Sequence, residues 1–165
     1  MKQTHWDFFW KIGISVEMVD ASRQHVSTKI SAGGSEVLFS FIYASCIEDE
    51  MSVLCYQLDL FQPECLPWFF GGDFNTIAEE SKKRGGEAFS AVSIQEFQCF
   101  IAMKGLLDLG FLGNQYTWCN NRKGSKIILS RLDRCFSNLQ CIETYAQESV
   151  THLTRVLSDH SPVVV

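Results

Sequence analysis

The amino-acid sequence predicts an α+β fold built as a layered sandwich. Three features carry that expectation: segments with the two-residue alternation of strands, segments with the three- and four-residue spacing of helices, and a glycine turn between neighbouring strands. The chain has 165 residues, 46% of them hydrophobic and 13% aromatic, which is enough to bury a core and argues against disorder. We read residues 1–165 as a single domain. No apolar run approaches a membrane span, so no membrane partner is expected, and the opening MKQTHWDFFWKIG lacks the features of a signal peptide.

The first strand is ISVEMV, which alternates. QHVSTKI and EVLFSFIYA then flank SAGGS, a hairpin signal that points to antiparallel pairing. After Tyr43, apolar residues at Ile47, Met51, Leu54, Leu58 and Phe61 have helical spacing. LPWFFGG is an apolar strand running into Asp73, and the charged, glycine-punctuated EESKKRGGEAFSAV reads as a loop. The strongest helix covers residues 93–104. Ser93 and Glu96 form a capping box, Ile94, Phe97 and Ile101 line one face, and Gly105 stands at the C-terminal cap. Beyond it LLDLGF, QYTWCN, IILSRLDRCF and SPVVV read as short strands, and residues 138–145 as a short helix.

Charge and cysteine content narrow the function classes. A formal net charge of −5 weighs against a broad basic surface for nucleic acid and leaves only SKKR (81–84) and NNRKGSK (120–126) as local contact loops. The simplest role of both is a solvated surface. Seven cysteines (Cys46, Cys55, Cys65, Cys99, Cys119, Cys135 and Cys141) include no C-x-x-C pair. They read mostly as packing residues of a reduced, intracellular protein, not as zinc ligands or a redox pair.

Polar groups gather where strands end. In GGDFNTI, Asp73 and Asn75 stand two apart, so an extended chain would aim both into one space while Phe74 anchors behind them. A plain turn is the bland alternative. SRLDRCF places Asp133 beside Arg131 and Arg134, for which a salt bridge is the simplest reading, and LSDHSPVVV delivers Asp159 and His160 just before a strand. Singly these are ordinary residues. Together, carboxylates, an amide and an imidazole at strand ends are what a hydrolytic metal site needs.

In that order, GGDFNTI, YTW, SRLDR and SDHSPV resemble the endonuclease/exonuclease/phosphatase family, whose fold is DNase I-like. GLLDLGFLGNQYTWCNNR and ILSRLDRCFSN are most similar to the endonuclease domain of plant LINE-type non-LTR retrotransposons. The likeness runs from about Ile14 to the last residue. It implies a four-layer α/β/β/α sandwich with its active site at one end of the two sheets. It also implies that Asp73 and Asn75 orient the attacking water and contact the phosphate, and that Tyr43 hydrogen-bonds the phosphate. Asp133 would orient His160, the catalytic histidine, Asp159 would lie near the metal, and Thr117 would support the site. The implied cofactor is magnesium or manganese, the implied substrate DNA, the implied compartment the nucleus, and the implied neighbour a reverse transcriptase domain.

The chemistry is coherent. A divalent cation offsets the phosphodiester's charge, an aspartate aligns and deprotonates water, and a carboxylate-held histidine stabilises the transition state. The family pattern also has an early strand bearing asparagine and a second ending in a metal-binding glutamate, and no residue here matches either. The resemblance therefore predicts a sandwich lacking its N-terminal strands, with metal binding weak or lost and the truncated copy inactive. Two other functions compete: a non-catalytic remnant that only binds nucleic acid or protein, and a small-molecule phosphatase acting on inositol-phosphate-like substrates.

Overall fold

The computed structural model describes residues 6–61, 66–145 and 149–165; Cys65 and residues 1–5 lie outside them. The longer strands come first: β1 (Ser15–Ala21), β2 (His25–Ala32), β3 (Ser35–Tyr43) and, after helix α1 (Glu48–Leu60), β4 (Trp68–Asp73). The short strand β5 (Lys83–Arg84) precedes helix α2 (Ala91–Met103). Then follow β6 (Leu107–Asp108), β7 (Leu112–Gly113), β8 (Trp118–Cys119), β9 (Leu129–Ser130) and β10 (Asp133–Ser137). Helix α3 (Leu139–Thr144), β11 (Thr151–His152) and β12 (Val163–Val164) complete the order. The α+β class is the one the sequence predicts. Among the described residues no helix is long and apolar enough to cross a membrane.

One six-stranded sheet, ordered β1-β2-β3-β4-β10-β6, is the frame, with two three-stranded sheets, β12-β11-β7 and β5-β9-β8. The antiparallel β2–β3 hairpin turns at Gly33 and Gly34, with φ of 59° and 86°, as expected. The β1–β2 connection has its own lock. His25 Nε2 donates to Asp20 Oδ2 at 2.9 Å, which leaves Nδ1 to accept the Ser22 hydroxyl at 2.8 Å. Two pairings are parallel, β3 with β4 and β7 with β11, where the sequence signals antiparallel neighbours alone. The first follows from α1: a helix crossing between consecutive strands brings them back in the same direction.

Apolar periodicity explains the core. Met51, Leu54 and Leu58 of α1 and Phe97 and Phe100 of α2 are buried against Leu38, Ile42, Trp68, Phe70 and Phe136 from the large sheet and Phe74 just past β4. The start of α2 differs from expectation. Its N-cap is Ser90, whose side chain accepts from the Ser93 N–H, so Ser93 lies inside the first turn and not at the cap. Ser90 is extended at ψ 129°, the conformation that lets a hydroxyl reach the third residue on. The other end is as predicted: Gly105 has φ 59°, Gly105 N–H donates to Ala102 and Leu106 N–H to Ile101. Within the predicted 79–92 loop, residues 83–84 pair with β9 instead of remaining irregular.

Beta strand β4 is central and ends at the site, so it must approach both neighbours closely. Gly72 (φ 141°) makes that possible, since a Cβ there would lie 2.1 Å from the Ile42 carbonyl oxygen. Replacing Gly72 with alanine should cost upwards of about 3 kcal/mol by strain and steric clash. A urea titration of Gly72→Ala against the parent would check this.

Candidate active site

Beta strands β4 and β10 run antiparallel with Asp73 opposite Asp133, so the register alone brings two carboxylates to the same sheet end. The turn at residues 158–161 supplies the histidine. His160 makes an antiparallel bridge to Trp118, with Cys119 N–H donating to the Asp159 carbonyl at 2.9 Å and Ser161 N–H to the Thr117 carbonyl at 2.7 Å. Held there, His160 Nδ1 donates to Asp133 Oδ2 at 2.9 Å, which turns Nε2 toward Asp73 Oδ2, 3.8 Å away. Thr117, fully buried, accepts at its hydroxyl from both Leu132 N–H (3.1 Å) and Asp133 N–H (3.0 Å). Its hydroxyl thereby ties down the start of β10, where Asp133 stands.

The salt bridge expected between Asp133 and its flanking arginines does not form. Arg131 and Arg134 both reach Asp108 on β6, Arg131 at Oδ1 (2.9 Å) and Arg134 at Oδ2 (2.8 Å). Both arginines are buried, so the nearest carboxylate on their own side takes them, and Asp133 is left for His160. Burial and the neighbouring Arg131 charge lower the Arg134 pKa, with Asp108 opposing. Asp108 went unnoticed in the sequence. The available signal was a strand bearing arginines among buried residues, which demands an acidic partner.

Asn75 also departs from expectation. The strand ends at Asp73, and Asn75 adopts φ 48°, a left-handed turn conformation and not an extended one. Asp73 Oδ1 accepts from Asn75 N–H at 2.9 Å, and this local bond closes the turn. Asn75 Nδ2 donates to the Ala44 carbonyl at 2.7 Å, so its amide is committed to the backbone. Phe74 is buried as predicted. Tyr43 lies opposite Asp73 in the β3–β4 register and is exposed. Asp159 is exposed at the rim, its Oδ2 accepting from Trp118 Nε1 at 3.3 Å.

Electrostatics sorts the two principal groups. Burial, then the Asp133 charge, pushes the Asp73 carboxyl up from 3.8 to about 6; Asp159 adds to this, while the Asn75 N–H and His160 oppose it. His160 is raised above its usual value, chiefly by its hydrogen bond to Asp133. The two shifts suit a carboxylate base beside an imidazole whose protonated form Asp133 favours. Among the described residues, one ligand atom each of Asp73, Asp133 and His160 falls within 4.8 Å of the others. Asp133 and His160 already engage each other, so Asp73, with Asp159 nearby, is the better-placed oxygen donor for a divalent cation. A carboxyl whose pKa is raised by neighbouring carboxylate charges is a fitting donor, because such an ion relieves that repulsion.

No family model and no curated protein matches this sequence. Solved structures do. The endonuclease domain of TRAS1, a telomere-specific non-LTR retrotransposon, aligns at a TM-score of 0.68 and 19% identity, over 93% of this chain and 68% of that one. A 3'-5' exonuclease from Neisseria meningitidis aligns at 0.65 and 18%, over 91% and 68%. A beta toxin from Staphylococcus aureus with bound magnesium ions aligns at 0.53 and 16%, over 85% and 56%.

A raised carboxyl pKa costs stability. Asp73 holds its proton more tightly folded than unfolded, so its contribution is greatest below about pH 4 and is lost as pH rises through about 6. The linked cost at pH 7 is about 3 kcal/mol. In EDTA, Asp73→Asn should therefore melt higher than the parent at pH 7 and converge with it at pH 4, as thermal denaturation at the two pH values would show. The chain has the DNase I-like fold of the endonuclease/exonuclease/phosphatase proteins.

Proposed function

We propose that this chain is a divalent-metal-dependent phosphodiester hydrolase of the retrotransposon endonuclease type, which nicks DNA. The observation that carries the proposal is the Asp133–His160–Asp73 line at the meeting of β4, β10 and the 158–161 turn. The sequence strings around YTW and SRLDR support the retrotransposon branch, as does the likeness to the TRAS1 domain. DNA as substrate is supported by a fold neighbour, a 3' phosphatase from Neisseria bound to a product DNA hairpin. In that setting the work belongs to the nucleus, beside a reverse transcriptase domain of the same element.

The residues divide the reaction. Asp73 aligns a water and accepts its proton, which its pKa of about 6 suits. Asp133 fixes the His160 ring so that Nε2 faces the reacting phosphate and offsets its growing negative charge. Tyr43, at the neighbouring strand end, contacts a phosphate oxygen, and Asn75 shapes the turn that aims Asp73. A divalent cation, held by Asp73 with Asp159, would supply charge neutralisation at the phosphodiester. With so small a donor set we expect weak cation binding and slow turnover.

Supercoiled plasmid incubated with magnesium tests the reading. We expect magnesium-dependent open circles from the parent, and a loss of roughly 10²–10³ in rate in both Asp73→Ala and His160→Ala. Folded parent protein that leaves the plasmid intact would make the chain a remnant, which is the outcome the family resemblance predicts because no residue matches the early asparagine and the metal-binding glutamate. A second expectation concerns pH. Nicking should rise as Asp73 ionises, below about pH 6 because a bound cation favours the carboxylate, and fall once His160 loses its proton. Asp133→Asn should move both limbs to lower pH, because the Asp133 charge raises the pKa of Asp73 as well as that of His160, read from rates across the pH range.

A further inference from the structure

Helices α1 and α2 share one core with the large sheet, and their outer sides leave a groove of about 290 Å³ between them. Its walls are two helical stripes. Ser52, Cys55, Tyr56 and Asp59 of α1 stand at i, i+3, i+4 and i+7. Glu96, Cys99, Phe100 and Met103 of α2 repeat that spacing. Neither stripe is the one that seals the core, which is Met51, Leu54 and Leu58 on α1 and Phe97 on α2, with Phe100 shared. Each wall is about 10 Å long, two helical turns. At one end Lys104 Nζ donates to Asp59 Oδ1 at 2.8 Å, which ties the end of α2 to α1 and closes the groove.

Most of this surface is apolar and open to water. Tyr56 is 63% and Met103 81% exposed on the two rims. Val53 and Leu60, three residues before Tyr56 and four after it, extend the exposed row along α1. The charge is unbalanced. Asp59 and Lys104 neutralise each other, whereas Glu96 has no salt bridge among the described residues and its Oε2 is buried with no hydrogen-bond partner. Burial, then the Glu96 charge, pushes the Cys55 thiol up to about 12, with Lys104 opposing, so the carboxylate bears on the groove itself. A carboxylate drawn partly out of water without a donor is costly, and a cation seated on it offsets that cost.

Each feature constrains the occupant. An anion would meet Glu96 as a like charge. A small organic cation would pair with Glu96 and leave Tyr56, Leu60 and Met103 in water. An extended peptide has no sheet edge to join here, because both walls are helices. A helix with apolar residues at the matching spacing and one basic residue among them satisfies the surface and the charge together. We propose that the α1–α2 groove is a docking site for a basic amphipathic helix of a protein partner, with a lysine or arginine seated on Glu96. Helix α1 begins four residues after Ala44, whose N–H donates to the Asp73 carbonyl. The Asp59 end of the groove therefore lies about 16 Å along the helix from that start, and the partner binds outside the hydrolytic site. The proposal holds whether or not the chain cuts DNA.

Fluorescence anisotropy with two stapled helical peptides tests the site. Both peptides are about four turns long with leucines at i, i+3, i+4 and i+7; one carries a lysine on that face, the other a glutamate in its place. The parent should bind the lysine peptide saturably and the glutamate peptide about tenfold more weakly. Glu96→Lys should reverse that preference. Met103→Glu, on the exposed rim, should weaken the lysine peptide by adding a charge where a leucine packs. Far-ultraviolet circular dichroism and the melting temperature confirm that each variant is folded. A merely adhesive apolar surface would hold both peptides alike. Absence of saturable binding by the parent, equal binding of the two peptides, or full lysine-peptide binding by folded Met103→Glu would overturn the docking site, as would an unreversed preference in folded Glu96→Lys.

Discussion

Thr117 engages three segments at once, and the site depends on it. Its N–H donates to the Ser130 carbonyl, its carbonyl accepts from Ser161, and its hydroxyl accepts from Leu132 and Asp133. The start of β10 and the 158–161 turn are thereby fixed to one residue, and the Asp133–His160 bond is the geometric result. Buried N–H groups need acceptors, so this hydroxyl is more than packing. A valine there would keep the shape and orphan two donors.

Around that tie, opposing demands are separated in space. The two buried arginines, one on β10 and one just before it, would compete for Asp133 if no other carboxylate were near, and Asp108 removes the competition by taking one on each oxygen. Beta strand β4 meets a different demand, which is to pass between β3 and β10 and still deliver a carboxylate at its end. Gly71 and Gly72 satisfy it: a side chain at Gly71 would press on the Phe39 ring, and one at Gly72 on the β3 backbone. The GGD of GGDFNTI is thus a steric arrangement before it is a chemical one.

Much of this was legible in the sequence. Periodicity located the hairpin, both main helices and the strand into Asp73, because burial on one face writes itself into spacing. The joint appearance of Asp73, Asp133 and His160 was also foreseen, through the resemblance and not through spacing. What failed were inferences needing knowledge of partners. Asn75 was read as extended because period-2 geometry knows nothing of the Asp73 side chain that bends the chain back. Asp133 was read with its sequence neighbours, whereas β6, found by pairing Leu107–Asp108 with β10, lies far off in sequence. The groove between α1 and α2 was invisible for the same reason: its walls come from two separate stretches of chain.

The 158–161 turn holds the histidine with little apolar anchorage. Two backbone hydrogen bonds and two side-chain bonds, His160 to Asp133 and Trp118 to Asp159, secure it, while Val156 and Leu157 just before it are exposed and Leu157 takes a φ of 53°. Segments so fastened open at lower free energy than a core buried by helices and aromatic rings. On warming, the imidazole would leave before the sheet melts. Loss of the Asp133–His160 arrangement and unfolding of the sheet would then be two separate events, and a chain that still gives a folded spectrum can already have a dismantled site.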